Sequence, residues 1–95
     1  MVFILQILIQ TQPTHIMNTP PTTFYFNNDV LLKRPYIKLI WCEEAIANPI
    51  KREIQSDGRI RHWIFVPELN KYLRVVTLAD GITIHNAFPD RRFQP

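Results

Sequence analysis

Two Asp-Gly pairs, Asp57-Gly58 and Asp80-Gly81, separate runs of β-branched, aromatic and aliphatic residues in the second half of the chain. Asp-Gly is favoured in two-residue β-hairpin turns, because these turns need positive φ angles. Apolar and polar residues alternate on either side of each pair, which is the period of a strand. The sequence therefore predicts strands at about residues 50–56, 59–66, 71–78 and 82–88, joined as an antiparallel meander.

A helix is predicted just before the first strand, at about residues 38–48. Leu39, Cys42, Ala45 and Ile46 recur at steps of three and four, which is typical of one buried helix face. Asn48 precedes a proline, and a residue in that position is pushed out of the α conformation, so the helix should end there. We expect an α+β fold, with one N-terminal helix packed on a three- or four-stranded antiparallel β-meander.

The chain has 95 residues, enough for one domain with one core. We place that domain at residues 36–93. Residues 17–35 contain three prolines and are interpreted as an irregular lead-in with a short strand at about 24–26. Residues 1–16 are interpreted as a non-native or disordered extension from an upstream start codon, with an extra edge strand or a sticky arm as the alternative. The apolar run at residues 1–9 is far shorter than the ~20 residues that span a bilayer, so no membrane association is expected.

Cys42 is the only cysteine in the chain, so an intrachain disulfide is impossible. Its neighbours are apolar, and we expect a buried, inert thiol. A single cysteine fits a reducing compartment, and the predicted location is the cytoplasm. No spacing of cysteines and histidines typical of a metal site occurs in the sequence, and no cofactor is predicted.

The lengths of the turns determine which residues of neighbouring strands oppose each other. Two-residue loops at the Asp-Gly pairs and a four-residue loop at 67–70 predict these pairs: Val76 with His85, Arg74 with Ala87, Trp63 with Arg74, Val66 with Lys71, and Glu53 with His62. The face predicted to lie against the helix holds Ile60, His62, Ile64, Val66, Leu73, Val75, Ile82, Ile84 and Phe88. The opposite face holds Arg59, Arg61, Trp63, Phe65, Tyr72, Arg74, Val76, Thr83 and His85.

The second of these faces suggests a function. Guanidinium groups bind phosphates through paired hydrogen bonds, and aromatic rings between them can stack unpaired bases. The net charge of +3 permits a nucleic-acid partner without requiring one. The alternative is a solvated face on which arginine stems cover aromatic rings.

The chain has two histidines in the predicted sheet. His62 falls on the face toward the helix, where a histidine is more often a hydrogen-bonded core residue than a catalyst. His85 falls on the arginine face, and an imidazole there can transfer a proton at neutral pH.

Three blocks of the sequence carry a resemblance: residues 55–63 (QSDGRIRHW), 72–76 (YLRVV) and 83–88 (TIHNAF). Over residues 36–93 the chain resembles small bacterial proteins of the domain-of-unknown-function kind. More distantly, it resembles the barnase–EndoU–colicin–RelE group of metal-independent ribonuclease toxins. The shared outline is a helical part, a hydrophobic hairpin and a final strand with a polar or histidine residue.

The resemblance implies a sheet face that binds RNA and cleaves its backbone with the ribose 2′-hydroxyl as nucleophile. It assigns phosphate contact to Arg74, proton transfer to His85 and a further cationic role to Arg61. RNA and a small antitoxin protein are the implied partners. After the last predicted strand the chain leaves the sheet, and residues 91–93 form a basic tail. The remaining binding residues expected from the arginine face and this basic tail are Arg59, Trp63, Tyr72, Thr83 and Arg91.

Three interpretations follow from the sequence. The first is an RNA-directed, toxin-like domain, with metal-independent endoribonuclease activity as its candidate chemistry. The second is a non-catalytic module that binds nucleic acid or a protein. The third is a small domain whose charged face is only solvated.

Overall fold

The computed structural model describes residues 19–95, which form two short helices followed by a four-stranded antiparallel sheet. Helix α1 consists of a π-helical stretch, Phe26–Val30, continued by an α-helical stretch, Leu31–Lys33; helix α2 is Leu39–Ala47. The strands are β1 (Lys51–Ile54), β2 (Ile60–Val66), β3 (Lys71–Thr77) and β4 (Ile84–Pro89), in the spatial order β1-β2-β3-β4. The prediction of an α+β fold with an antiparallel meander is confirmed, but two short helices in the described residues take the place of the single N-terminal helix that was predicted.

The hairpin between β2 and β3 has the predicted register. Trp63 opposes Arg74 and Val66 opposes Lys71. The loop is closed by hydrogen bonds from the Leu69 N–H to the Val66 carbonyl (3.1 Å) and from the Asn70 N–H to the Pro67 carbonyl (3.0 Å). Asn70 has a φ of 53°, and asparagine tolerates this left-handed conformation better than most residues. The four-residue loop therefore places the arginine and the tryptophan side by side.

The two Asp-Gly pairs lie in turns, but both turns are longer than the predicted two residues. Gly58 (φ 92°) and Gly81 (φ 77°) adopt the positive φ angles that glycine allows. The Gln55 N–H bonds to the Arg59 carbonyl at 2.7 Å, so three residues separate this pair. The Leu78 N–H bonds to the Thr83 carbonyl at 2.9 Å, so four residues separate that pair.

A β-bulge at His85 corrects the predicted register between β3 and β4. Thr77 opposes Ile84, but Val76 opposes Asn86, so His85 is the extra residue on β4. Beyond the bulge every pair moves by one, and Arg74 opposes Phe88 instead of Ala87. Since a one-residue slip exchanges the two faces of a strand, Ala87 is buried in the core and Phe88 lies on the side away from the helices.

The register of β1 is also one residue from the prediction, because the Asp57-Gly58 turn has an additional residue. Arg52, not Glu53, opposes His62, and Glu53 opposes Arg61. Glu53 therefore lies on the face away from the helices, where it forms an ion pair with Arg61 at 3.4 Å.

The core lies between the sheet and the two helices. Helix α2 buries Trp41, Cys42 and Ala45, whereas Leu39, predicted to be buried, is 39% exposed at the first position of the helix. Burial raises the pKa of the Cys42 thiol to about 12, with a smaller contribution from the charge of Glu43. The prediction that the Cys42 thiol is buried is thus confirmed. The sheet contributes Ile60, His62, Ile64, Val66, Leu73, Val75, Thr77, Ile84 and Ala87, while Ile82, also predicted to be buried, is half exposed.

The segment before α2 is not the predicted irregular lead-in over its described part. Helix α1 buries Phe26 and Val30 in the core, one turn apart, and the predicted strand at 24–26 is absent from the described residues. The Thr23 hydroxyl accepts the Phe26 N–H at 3.1 Å and so satisfies one of the free donors at the start of the helix. Backbone hydrogen bonds from the Thr23 N–H to the Ile84 carbonyl and from the Ile84 N–H to the Pro21 carbonyl attach this segment to β4.

The extension predicted for residues 1–16 lies outside the described residues, as do the first two residues of the predicted lead-in. Between residues 19 and 95, no helix has the length and apolar character needed to cross a membrane.

His62 is a buried core residue, as predicted, with 1% of its surface exposed. Its Nε2 atom is 3.0 Å from the Thr77 hydroxyl, and Nδ1 has no hydrogen-bond partner in the described part of the chain. Burial lowers the pKa of His62 to about 4, with the positive charge of Arg52 as a second cause. The imidazole is therefore neutral in the folded protein at neutral pH.

This buried histidine makes the stability depend on pH. Between the unfolded pKa of 6.5 and the folded value of about 4, the unfolded chain binds more protons than the folded one. The free energy of unfolding should fall by roughly 3 kcal/mol as the pH decreases through this range. Denaturant unfolding at a series of pH values measures this decrease in the free energy of unfolding.

Substitution His62→Gln should flatten this dependence, because the amide can bond to Thr77 but cannot titrate. His85→Gln is the matched control on the same sheet and should change the slope less. An unchanged slope in His62→Gln would show that His62 does not cause the effect.

Candidate nucleic-acid interface

The face of the sheet away from the helices, here called the outer face, gathers cationic and aromatic side chains. The strand pairing places on it Lys51, Glu53, Arg61, Trp63, Phe65, Tyr72, Arg74, Val76, Asn86 and Phe88. Trp63 and Val76 are nevertheless buried, at 3% and 6% exposure. Something other than the helices must therefore cover the middle of this face.

The cover is the segment that follows β4, held by the Asp90 carboxylate. Its Oδ2 atom accepts three hydrogen bonds, from Trp63 Nε1 (2.9 Å), Arg74 Nε (3.0 Å) and Arg74 Nη2 (2.9 Å). The other oxygen, Oδ1, accepts the backbone N–H of Arg92 at 3.1 Å, and the backbone N–H of Asp90 donates to the Tyr72 carbonyl at 2.8 Å. Asp90 thus joins β2, β3 and the C-terminal segment.

The ionisation of Asp90 reflects these contacts. Burial alone would raise its pKa, because a carboxylate loses its hydration inside the protein. The hydrogen bonds from Trp63, Arg74 and the Arg92 backbone, together with the charge of Arg74, outweigh burial and hold the pKa of Asp90 below its ordinary value. Asp90 is therefore a carboxylate at neutral pH, and its pairing with Arg74 is charged on both sides.

Rings and guanidinium groups form a continuous row across the outer face, which we call the ladder. Arg74 lies over the rings of both Phe88 (4.9 Å) and Trp63 (5.5 Å), and Arg34 lies over Phe88 (5.7 Å). Phe93 stacks on Trp63, with ring centroids 4.8 Å apart and planes 16° from parallel. Tyr72 meets Phe93 and Phe65 edge to face, at 5.1 and 5.2 Å. In order, the ladder is Arg34, Phe88, Arg74, Trp63, Phe93, Tyr72 and Phe65.

A cleft of about 320 Å³ opens beside the ladder. Its lining consists of Lys51, Glu53, Trp63, Arg74, Asp90, Arg92, Phe93 and Gln94. Lys51 pairs with Glu53 at 3.6 Å, and Arg61 donates to Gln55 Oε1 at 2.9 Å besides its ion pair with Glu53. Four cations, Lys51, Arg61, Arg74 and Arg92, thus share this part of the outer face with only two carboxylates, Glu53 and Asp90, so an anion would find a net positive surface.

His85 lies apart from this cleft, at the bulge of β4. Its Nδ1 atom is 3.1 Å from the Thr23 hydroxyl, and its ring packs against Tyr25 at 5.0 Å. Burial lowers the pKa of His85, the charge of Arg59 lowers it further, and Asp57 opposes the shift. The Thr23 hydroxyl can donate to His85 Nδ1 or accept from it while it accepts the Phe26 N–H, so the contact is compatible with either tautomer of the neutral ring.

The residues predicted for the site lie in several separate places. Arg74, Trp63 and Tyr72 belong to the ladder, and Arg61 lies beside it. Arg59 is in the β1–β2 turn, 3.9 Å from Asp57, and Thr83 is in the β3–β4 turn, where its backbone N–H and hydroxyl bond to Asp80. Arg91 is exposed in the C-terminal segment. Within the described residues, neither Arg61 nor Arg74 forms a hydrogen bond or ion pair with His85.

The residues that sequence reasoning missed are Asp90, Phe93, Phe88, Lys51 and Arg92. The first two follow the last strand, in a stretch interpreted as a basic tail leaving the sheet. The sequence did contain a local signal, since Asp90 is followed by two arginines and Phe93. A segment of this composition can fold back onto a face rich in arginine and aromatic side chains.

In the part of the chain that the structure describes, no group of three or more histidine, cysteine, aspartate or glutamate side chains is placed to hold a metal ion.

Comparison of the chain with known protein families, with curated proteins and with solved structures finds no match.

Proposed function

We propose that the domain binds single-stranded RNA on the outer face of its sheet. The observation that carries this proposal is the cationic cleft of Lys51, Arg74 and Arg92 beside the ladder of stacked rings. Cationic grooves that follow a phosphate backbone, bordered by rings on which bases stack, are the usual means of holding single strands.

Arg74 is suited to phosphate binding by its fixed position. Asp90 accepts from Nε and Nη2, which leaves Nη1 and the second N–H of Nη2 as available donors. The rings of Trp63 and Phe88 hold the guanidinium plane between them. An arginine fixed in this way loses little conformational freedom on binding a phosphate. Its side chain is 24% exposed, so a ligand can reach it.

The far end of the ladder offers surface for bases. Phe65 is 41% exposed and Tyr72 is half-buried, and their edge-to-face contact leaves part of each ring open to solvent. Stacking on such rings accepts any base, so we expect affinity with little sequence preference.

The order of elements also supports an RNA-directed domain. A helical part is followed by an antiparallel meander whose third strand carries Arg74, which is the order expected from the proposed resemblance to ribonuclease toxins. That proposed resemblance, together with the rings beside the cations, favours RNA over a protein as the ligand.

The binding proposal predicts a strong dependence on salt. Affinity for a labelled single-stranded RNA should fall as the salt concentration rises, because the cationic side chains displace counterions from the phosphates when the RNA binds. Lys51→Ala and Arg61→Ala should each weaken binding and reduce the slope of log affinity against log salt by up to about 1. Fluorescence anisotropy over a salt series measures both.

Lys33→Ala is the matched control, since Lys33 lies on α1 and pairs with Asp29 at 3.5 Å. It should leave the slope unchanged. A folded wild-type protein that shows no binding at low salt would contradict the proposal and favour a protein-binding or purely structural domain.

Cleavage of the bound RNA is a second candidate function, favoured by the setting of His85. Thr23 and Tyr25 orient its ring, and its lowered pKa makes it a neutral imidazole at neutral pH. In the tautomer in which the Nδ1 proton is donated to the Thr23 hydroxyl, the unprotonated Nε2 can accept the proton of a ribose 2′-hydroxyl, and the imidazolium so formed can return that proton to the leaving 5′-oxygen. Arg59 is the cation whose charge acts on it, and it would stabilise a charged phosphorane there.

If the domain cleaves RNA, His85→Ala and His85→Asn should both abolish cleavage while most of the binding remains. An amide can form a hydrogen bond but cannot transfer the proton. Cleavage should persist in EDTA, as it does for the metal-independent group that the chain resembles. Gel analysis of a labelled RNA at neutral pH measures the products, and cleavage by His85→Ala at the wild-type rate would remove the catalytic assignment.

A further inference from the structure

We infer that residues 90–93, here called the tail, occupy the RNA site of this chain in the way that a nucleotide would, and so compete with RNA for Arg74 and Trp63. This inference rests on the proposed function. It concerns regulation of the same site: the tail holds the domain in a closed state, and a single-stranded RNA binds fully only when the tail is displaced.

The Asp90 carboxylate takes the place of a phosphate. One of its oxygens accepts from Arg74 Nε and Nη2 at 3.0 and 2.9 Å, a charged pair of the sort that arginine also makes with phosphate oxygens. The indole N–H of Trp63 donates to the same oxygen at 2.9 Å. A phosphate placed here would find the same three donors.

The ring of Phe93 takes the place of a base. It lies 4.8 Å from the Trp63 ring at 16° from parallel, which is a stacked arrangement, and Tyr72 meets its edge. A purine stacked on Trp63 would have the same neighbours. Residues 90 and 93 therefore place an anion and a flat ring together, as a nucleotide does.

Outside these two side chains, the backbone of the tail is joined to the sheet at its first residue, where the Asp90 N–H donates to the Tyr72 carbonyl at 2.8 Å. Arg91, Arg92 and Gln94 are exposed, and the backbone hydrogen bond from the Phe93 N–H to the Asp90 carbonyl is long, at 3.4 Å. A segment held mainly through two side chains can open without unfolding the sheet. Opening would expose the flat face of Trp63 and the occupied donors of Arg74.

A closed tail reduces the apparent affinity in proportion to the fraction of open molecules. Removing the Phe93 ring should raise that fraction and free the stacking position, while Asp90 keeps the end of β4 attached. We therefore expect Phe93→Ala to bind a labelled oligoadenylate several-fold more tightly than wild type does.

The experiment compares wild type, Phe93→Ala and Phe24→Ala in anisotropy titrations with the oligoadenylate and with an abasic ribose-phosphate strand of the same length. Phe24 is 81% exposed just before α1 and belongs to neither the cleft nor the ladder, so Phe24→Ala should bind as wild type does. The gain in Phe93→Ala should appear with the oligoadenylate and be absent with the abasic strand, because the freed site stacks a base. Circular dichroism and thermal unfolding confirm that each variant is folded.

Each outcome separates the two proposals. Equal binding by wild type and Phe93→Ala, or weaker binding by the variant, overturns the competition and leaves RNA binding in place; weaker binding would mean that Phe93 is itself a stacking surface. An equal gain with both strands overturns the assignment of Trp63 to a base. No binding by any of the folded proteins overturns the proposed RNA binding itself. Binding by Phe93→Ala but not by wild type supports both the RNA binding and its competition with the tail.

Discussion

A single carboxylate, that of Asp90, determines how the outer side of this domain is built. It accepts hydrogen bonds from Trp63 on β2 and Arg74 on β3 and from the backbone of Arg92, so two strands and the C-terminal segment meet at one residue. Without it, the Trp63 indole and the Arg74 guanidinium would lack their shared acceptor in a largely buried place, which is costly for a polar group and more so for a charge. The stacking of Phe93 on Trp63 and the position of Arg74 between two rings follow from that anchorage. Helices therefore cover one face of the sheet, and the segment after β4 covers Trp63 in the middle of the other.

The parts of the fold that local chemistry determines could be predicted from the sequence. The Asp-Gly pairs located two turns, the Asn48-Pro49 step ended α2, and the four-residue loop at 67–70 placed Trp63 beside Arg74. Features that depend on contacts between distant residues could not be predicted. The bulge at His85 moves the outer part of β4 by one residue and reverses the faces of Ala87 and Phe88. Helix α1 is stabilised by the burial of Phe26 and Val30 and by backbone hydrogen bonds between the preceding segment and β4. The neighbouring residues in the sequence give no indication of these contacts.

Only part of the candidate site could be predicted, because its other part also depends on contacts between distant residues. Strand alternation brought Arg61, Trp63, Tyr72 and Arg74 to one face, as the register of β2 and β3 requires. It could not indicate that Asp90 would neutralise Arg74 or that Phe93 would cover Trp63. The bulge also separates His85 from the ladder and sets it beside Thr23 and Tyr25.

The exchange of the Trp63 indole proton with solvent tests the central role of Asp90 most directly. In wild type, NMR should show this proton protected, because it is bonded to Asp90 and covered by Phe93. Asp90→Asn keeps the shape but removes the charge, so the Trp63 proton should exchange faster and the free energy of unfolding should fall by about 1–3 kcal/mol. The Trp41 signal serves as an internal reference, and Asp29→Asn, at an exposed ion pair on α1, should change neither quantity appreciably. A Trp63 proton that exchanges as a free indole in wild type, or equally slowly in Asp90→Asn with unchanged stability, would contradict the account.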